Sequence, residues 1–393
     1  MNSFTYSLPT EMVFGKGVEN KAAELIKKYG GHNVLIVYGG GSVKRTGLLG
    51  RICDQLHAAQ LGCITIGGVQ PNPLVSFVNE AVKTAVAADI DFVLAVGGGS
   101  VIDTAKAIAH GIQYPDHDIW DLWSKKVPVE KTTPFGSVLT LAAAGSETSD
   151  SSVLTNDDTH QKRGLGTPFN RAKFAIMNPE LTYSAPVYQK ACGCADIFMH
   201  TIERYFAKEK PNYLTDYIAE GVLKNVIAQA PVMLKNPADY VSHSEIMYTG
   251  SVSHNGITGL GRGRDFSVHK LGHELSGKYD VTHGASLTAM WGSWARYVYK
   301  DDVERFVHMG KALFGLDGKG EAGALAAIEK VEDFFRSGLN LPTSLSGLMD
   351  RKLSDAEIDE LTEMCVANNV LPVGCFHPLG KEDIRAIYKL ANK

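Results

Sequence analysis

Two textures of apolar and polar residues divide the chain. Over residues 1–183, short runs at 33–38, 63–66, 91–96 and 137–141 are apolar at nearly every position, as strands buried on both faces of a parallel sheet must be. Between them, residues 73–88 and 101–110 return to apolar spacings of three and four, which align side chains on one face of a helix. Strand and helix in alternation predict a doubly wound α/β domain with a largely parallel, dinucleotide-binding type of sheet. From residue 184 the strand signal fades, and residues 213–234, 302–314 and 321–337 carry helical periodicity. Residues 184–393 are therefore expected to be all helical, and the Asp and His residues they contain make them the expected metal-binding and substrate domain. Neither a low-complexity linker nor an internal repeat separates the halves, so close packing is expected.

Two glycine clusters follow buried strands. In Val96-Gly97-Gly98-Gly99-Ser100-Val101-Ile102-Asp103-Thr104-Ala105-Lys106 the glycines come between a strand and a helix. Without side chains, their N–H groups can approach a pyrophosphate, and the helix N-terminus adds partial positive charge. There is no Gly-x4-Gly-Lys-Ser/Thr pattern, so phosphoryl transfer is not implied. The earlier cluster, Gly39-Gly40-Gly41-Ser42, ends the first strong strand and is followed by Lys44 and Arg45. NAD-selective folds commonly place an acid at such a strand end to bind the ribose hydroxyls. Gly39 stands there instead, and Ser42, Lys44 and Arg45 offer donors and positive charge, which favours NADP over NAD while leaving NAD possible.

In the second half, Asp196 and His200 stand four apart in a breaker-free run, while His269 and His283 flank a helix end and the following turn. A carboxylate and an imidazole four apart share a helix face. Three imidazoles and one carboxylate suit a divalent first-row metal. Cys192 and Cys194 lie close by, but no second cysteine pair has zinc-ribbon spacing, so the Asp/His set is preferred. Six cysteines in 393 residues build no disulfide framework, and reduced, mostly buried thiols are expected.

Composition narrows the partners. With 44% hydrophobic residues and a net charge of -4 in which neither sign forms long runs, the chain gives no electrostatic case for nucleic acid or membrane surfaces. A small-molecule partner is expected. The first ten residues lack a basic n-region and an apolar h-region, and no run is long enough to span a bilayer. A cytoplasmic protein is expected.

Nearly the whole chain resembles the iron-containing, or group III, alcohol dehydrogenases, and in particular their NADP-preferring butanol dehydrogenase and aldehyde reductase branch. The similarity rests on Phe14-Gly15-Lys16-Gly17, Pro71-Asn72-Pro73, Gly97-Gly98-Gly99-Ser100 with Asp103 and Lys106, Thr140 through Gly145-Ser146-Glu147, and the Asp196/His200/His269/His283 set. It implies that these last four bind one catalytic divalent metal, Fe2+ or Zn2+, at the domain cleft, with His273 beside substrate and nicotinamide. It also implies that Asn72, Gly98, Gly99, Ser100, Thr140 and Lys162 contact the dinucleotide, with Asp103 near its reacting end. One departure stands out: Ala143-Ala144 replaces the Gly-Thr that many members carry before Gly-Ser-Glu, which puts one hydroxyl contact in doubt.

The expected activity is interconversion of primary alcohols and aldehydes, butanol and butyraldehyde among them, by direct hydride transfer with the substrate oxygen on the metal. A homodimer is the expected assembly. His273, one turn after His269, is the candidate to relay the hydroxyl proton. His254 has no place in the set and is expected to be dispensable. A glycerol dehydrogenase-like polyol oxidoreductase and the dehydroquinate synthases share this kind of site and are the alternatives among related enzymes. A metal-dependent hydrolase is the alternative from another reaction class, and a non-enzymatic nucleotide-binding protein a third reading.

Overall fold

The computed structural model describes residues 1–208 and 212–393, in two compact units: Ser7–Ala185, and Pro186–Lys393 together with Met1–Tyr6. Sequence texture alone places the first six residues with the sheet. They join the helical unit through contacts such as the Asn2 N–H donating to the Gly261 carbonyl at 2.8 Å.

The first unit holds strands β1 (Glu11–Phe14), β2 (Asn33–Tyr38), β3 (Gly62–Gly67), β4 (Phe92–Gly97), β5 (Phe135–Leu139), β6 (Ser151–Thr155), β7 (Lys162–Gly166) and β8 (Phe174–Met177). Six of them form an entirely parallel sheet in the order β1-β8-β5-β4-β2-β3. The central strands are buried on both faces. Val34, Ile36, Phe92, Leu94, Phe174 and Ile176 share one core with Ile26, Ile52 and Leu56 of the flanking helices, and the Phe92 and Phe174 rings stack at 5.8 Å. β6 and β7 form a separate antiparallel ribbon.

Strand order creates a switch point. After β2 the chain moves outward to β3; after β4, which lies on the other side of β2, it moves the opposite way to β5. The register pairs Tyr38 with Val96, so the two glycine clusters emerge side by side from the carboxyl ends of adjacent strands. Open α/β sheets bind ligands at this kind of crevice. On the other flank of β2, Tyr38 pairs with Gly67, and a Cβ at Gly67 would lie 2.1 Å from the Tyr38 ring. The ring thus occupies the space a side chain on β3 would fill, and Lys44 Nζ sits 5.0 Å from its centroid.

The second unit is helical, with only an isolated bridge between Val373 and Leu379 among its described residues. Its central helix, Val187–Tyr205, is buried without interruption from Lys190 onward and packs against the Tyr213–Lys235, Tyr240–His254 and His283–Val298 helices. Glycines set two close approaches in this unit. A Cβ at Gly284 would lie 2.1 Å from the Cys192 carbonyl, and one at Gly272 would lie 2.9 Å from Leu287. Burying a helix on nearly all sides needs small residues where backbones touch.

Candidate metal centre and dinucleotide site

Asp196 and His200 lie one turn apart on the Val187–Tyr205 helix, His269 lies in the first turn of Ser267–Tyr279, and His283 is the first residue of His283–Val298. Three imidazole nitrogens converge on one carboxylate oxygen: from Asp196 Oδ1, Nε2 of His269 is at 3.4 Å, of His200 at 3.7 Å and of His283 at 3.8 Å. Ligand atoms of Asp196, His200 and His269 all lie within 4.8 Å of one another. His269 Nε2, one of these converging nitrogens, is buried with no hydrogen-bond partner among the described residues. Buried polar atoms normally find partners, and nitrogens gathered round a carboxylate fit a bound divalent cation. Side-chain exposure is 6–9% for Asp196, His200 and His269 but 24% for His283, so the set opens on the His283 side. His273 lies on that side, with its ring centroid 5.2 Å from that of His283.

Glu203 is the residue that sequence reasoning missed. Fully buried and seven residues after Asp196 on the same helix, it accepts from His269 Nδ1 through Oε2, while Oε1 accepts the Val268 N–H at 2.7 Å and the His269 N–H at 3.2 Å. A ligating histidine usually donates its second ring nitrogen to such a carboxylate, which fixes tautomer and raises basicity. Burial pulls the His269 pKa down, but Glu203 and Asp196 override it and lift it to about 9. His200 goes the other way: burial, and then the neighbouring His254, His269 and Arg204, hold it well below the ordinary histidine range. A neutral imidazole is what a cation requires. The spacing Asp196, His200, Glu203 on one face was the available signal for Glu203. Burial pushes the Cys192 and Cys194 thiols up to about 12, and neither joins the ligand atoms gathered from Asp196, His200 and His269 among the described residues.

The first unit gathers most of the nucleotide candidates at the switch point. Gly97 ends β4, and Gly98 precedes the Gly99–Gly111 helix, whose first turn includes Ser100. A Cβ on Gly98 would lie 3.1 Å from Leu141, and the Thr140 N–H donates to the Gly97 carbonyl at 3.0 Å. After β2, Gly41 takes φ 101° and precedes the single turn Ser42–Arg45. Gly39 and Gly40 do not have positive φ. Asn72, at φ 58°, accepts from Lys162 Nζ at 2.8 Å, which ties the Pro71-Asn72-Pro73 turn to the ribbon.

Asp103 is engaged in architecture. Its Oδ1 accepts from the Ser146 hydroxyl at 2.5 Å and its Oδ2 from the Val153 N–H at 2.9 Å. Burial raises its pKa, partly offset by Lys106 and Ser146. Lys106, wholly buried, donates to the carbonyls of Ser146 and Ser151, each at 2.7 Å. Together they pin the Gly145-Ser146-Glu147 loop and the ribbon to the helix that follows the glycines.

Known proteins give the same picture. Residues 9–179 match the family described as iron-containing alcohol dehydrogenase, and residues 190–392 match the C-terminal part of the Fe-containing alcohol dehydrogenase family. The chain is 38% identical over 392 residues to the probable NADH-dependent butanol dehydrogenase 1 of Bacillus subtilis, covering 99% of each. It is 33% identical to the NADPH-dependent aldehyde reductase YqhD of Escherichia coli, covering 100% of each. The crystal structure of NADH-dependent butanol dehydrogenase A from Thermotoga maritima superposes with a TM-score of 0.96 at 33% identity, covering 100% of this chain and 99% of that one. With family matches over both units and relatives aligned end to end, the chain belongs to the iron-containing alcohol dehydrogenases: it is an alcohol/aldehyde oxidoreductase with a buried Asp/His/His metal site.

Proposed function

We propose that the protein is an NADPH-preferring enzyme that interconverts primary aliphatic alcohols and aldehydes, with butyraldehyde and butanol as representative substrates. The observation that carries this reading is the convergence of His200, His269 and His283 on one oxygen of Asp196. These four residues would hold one divalent cation, Fe2+ or Zn2+, which when bound supplies Lewis acidity toward an alcohol or carbonyl oxygen. Glu203 orients His269. His273, whose ring lies beside that of the more exposed ligand, would give or take the hydroxyl proton at a ring nitrogen. The balanced reaction is aldehyde plus NADPH plus a proton giving alcohol plus NADP+.

Support for NADPH comes from the switch point. Gly39 leaves the β2 end without an acid, and a Cβ at Gly41 would lie 3.9 Å from the Arg45 guanidinium, so positive charge lies against the loop where a 2'-phosphate would be read. Relatives bear names with either cofactor, which makes this loop the informative comparison. Gly97, Gly98, Gly99, Ser100, Thr140, Asn72 and Lys162 would line the pyrophosphate and nicotinamide end, while Asp103 holds the neighbouring loop.

A single assay tests the reading: oxidation of NADPH and of NADH by the metal-loaded protein with butyraldehyde. Faster turnover with NADPH is expected. Dehydrogenation of glycerol with no aldehyde reduction would favour the polyol reading, and hydrolysis without cofactor oxidation would favour a hydrolase.

A further inference from the structure

Two ligands of the metal centre are held in different ways. His269 is oriented by the Glu203 carboxylate, whereas the buried Nδ1 of His200 has no hydrogen-bond partner among the described residues. A ligating imidazole with no partner on its second nitrogen must be oriented by packing instead.

His254 supplies that packing. Its ring stacks on His200 with centroids 3.8 Å apart and planes inclined by 21°, closer than the His200–His269 stack at 4.7 Å. His254 is itself fixed, because Arg204 Nη2 lies 2.8 Å from its Nδ1. A guanidinium can only donate, so Nδ1 must accept, and the ring is the neutral tautomer with its proton on Nε2. Arg204 also donates through Nη1 to the His200 carbonyl and, at 3.1 Å, to the Ser253 carbonyl, while its guanidinium lies 4.7 Å from the Phe266 ring centroid. One side chain therefore grips both the backbone of the ligand and the ring that covers it.

We propose that His254, clamped by Arg204, is a positioning residue of the metal centre, holding the His200 imidazole in the plane from which Nε2 faces Asp196. Its stacked position makes it part of the centre rather than a bystander. The inference rests on reading Asp196, His200, His269 and His283 as the ligand set.

The test uses the full-length protein loaded with Co2+, whose visible spectrum reports coordination geometry, and follows Co2+ release to a chelator. His254→Ala should release Co2+ about tenfold faster and change the cobalt spectrum, while His254→Phe, which restores a flat ring, should return both toward the parent. An Ala variant with the parent's release rate and spectrum overturns the proposal, as does a Phe variant no better than Ala. Should Ala fail to fold, His254→Gln keeps an acceptor for Arg204 without a ring: faster release supports the stack, and parental release overturns it. Failure of the parent to take up Co2+ would overturn the ligand set as well, whereas parental uptake with an unaffected His254→Ala overturns the role of His254 alone.

Discussion

Glu203 holds His269 from two directions, one carboxylate oxygen taking the ring Nδ1 and the other taking the peptide N–H groups of Val268 and His269. The first turn of the Ser267–Tyr279 helix and the imidazole it carries are thereby set by one buried side chain. Glu203→Gln should lower metal affinity by about 10–100-fold, because an amide can present a donor to Nδ1 and reverse the tautomer. Competition for metal with a chelator of known affinity checks this, and unchanged affinity would remove Glu203 from the centre.

Removing a ligand should act more strongly and more locally. His269→Ala and His283→Ala are expected to retain little metal after dialysis and to lose most turnover, with the sheet unit still folded. Metal content by elemental analysis, beside far-ultraviolet circular dichroism, separates lost ligation from lost folding. Near-stoichiometric metal in both variants would exclude these residues as ligands.

Cofactor preference should turn on Gly39. Its φ is not positive, and a Cβ there would meet the Val69 carbonyl at 3.4 Å and Val101 at 3.6 Å, the edge of ordinary contact. Gly39→Asp should shift relative kcat/KM toward NADH by about tenfold, which needs only about 1.4 kcal/mol of differential binding. Gly41→Ala is the control. At φ 101° it should strain the turn and weaken both cofactors alike. A parent that already prefers NADH would remove the 2'-phosphate reading of this loop.

Acid should destabilise the sheet unit through His110, which is fully buried with Nε2 2.8 Å from Asn170 Oδ1. Burial lowers its pKa to about 4 from an ordinary 6.5. Between those values the unfolded chain binds the proton and the folded chain does not, so stability falls as pH drops from 6.5 toward 4. The full effect is about 3 kcal/mol. Urea midpoints across this range should show a shallower acid loss in His110→Gln than in the parent.

The legible parts of the chain were those whose signal is local. β2 and β4 are apolar at almost every position, and Asp196 with His200 needs only the pitch of a helix. β1 and β8 are four residues each, too short for a pattern to accumulate. β7, Lys-Arg-Gly-Leu-Gly, is polar and glycine-rich, and its strand conformation comes from pairing with β6. Glu203 was hidden for another reason. Its partners, Val268 and His269, lie 65 and 66 residues away, and only the folded helices bring them to it. Sequence similarity implies that Asp103 lies near the reacting end; in the fold both its oxygens are engaged by Ser146 and Val153, a commitment that no spacing discloses.

The Tyr38 ring fills the space over Gly67 while the Lys44 ammonium rests against the same ring. Three positions on two strands and a loop are thus bound to vary together. A lineage that acquires any side chain at Gly67 must evict the Tyr38 ring, and Lys44 then loses its resting place. Drift at an outer-strand glycine would in this way reach the loop after β2 without altering any of that loop's glycines.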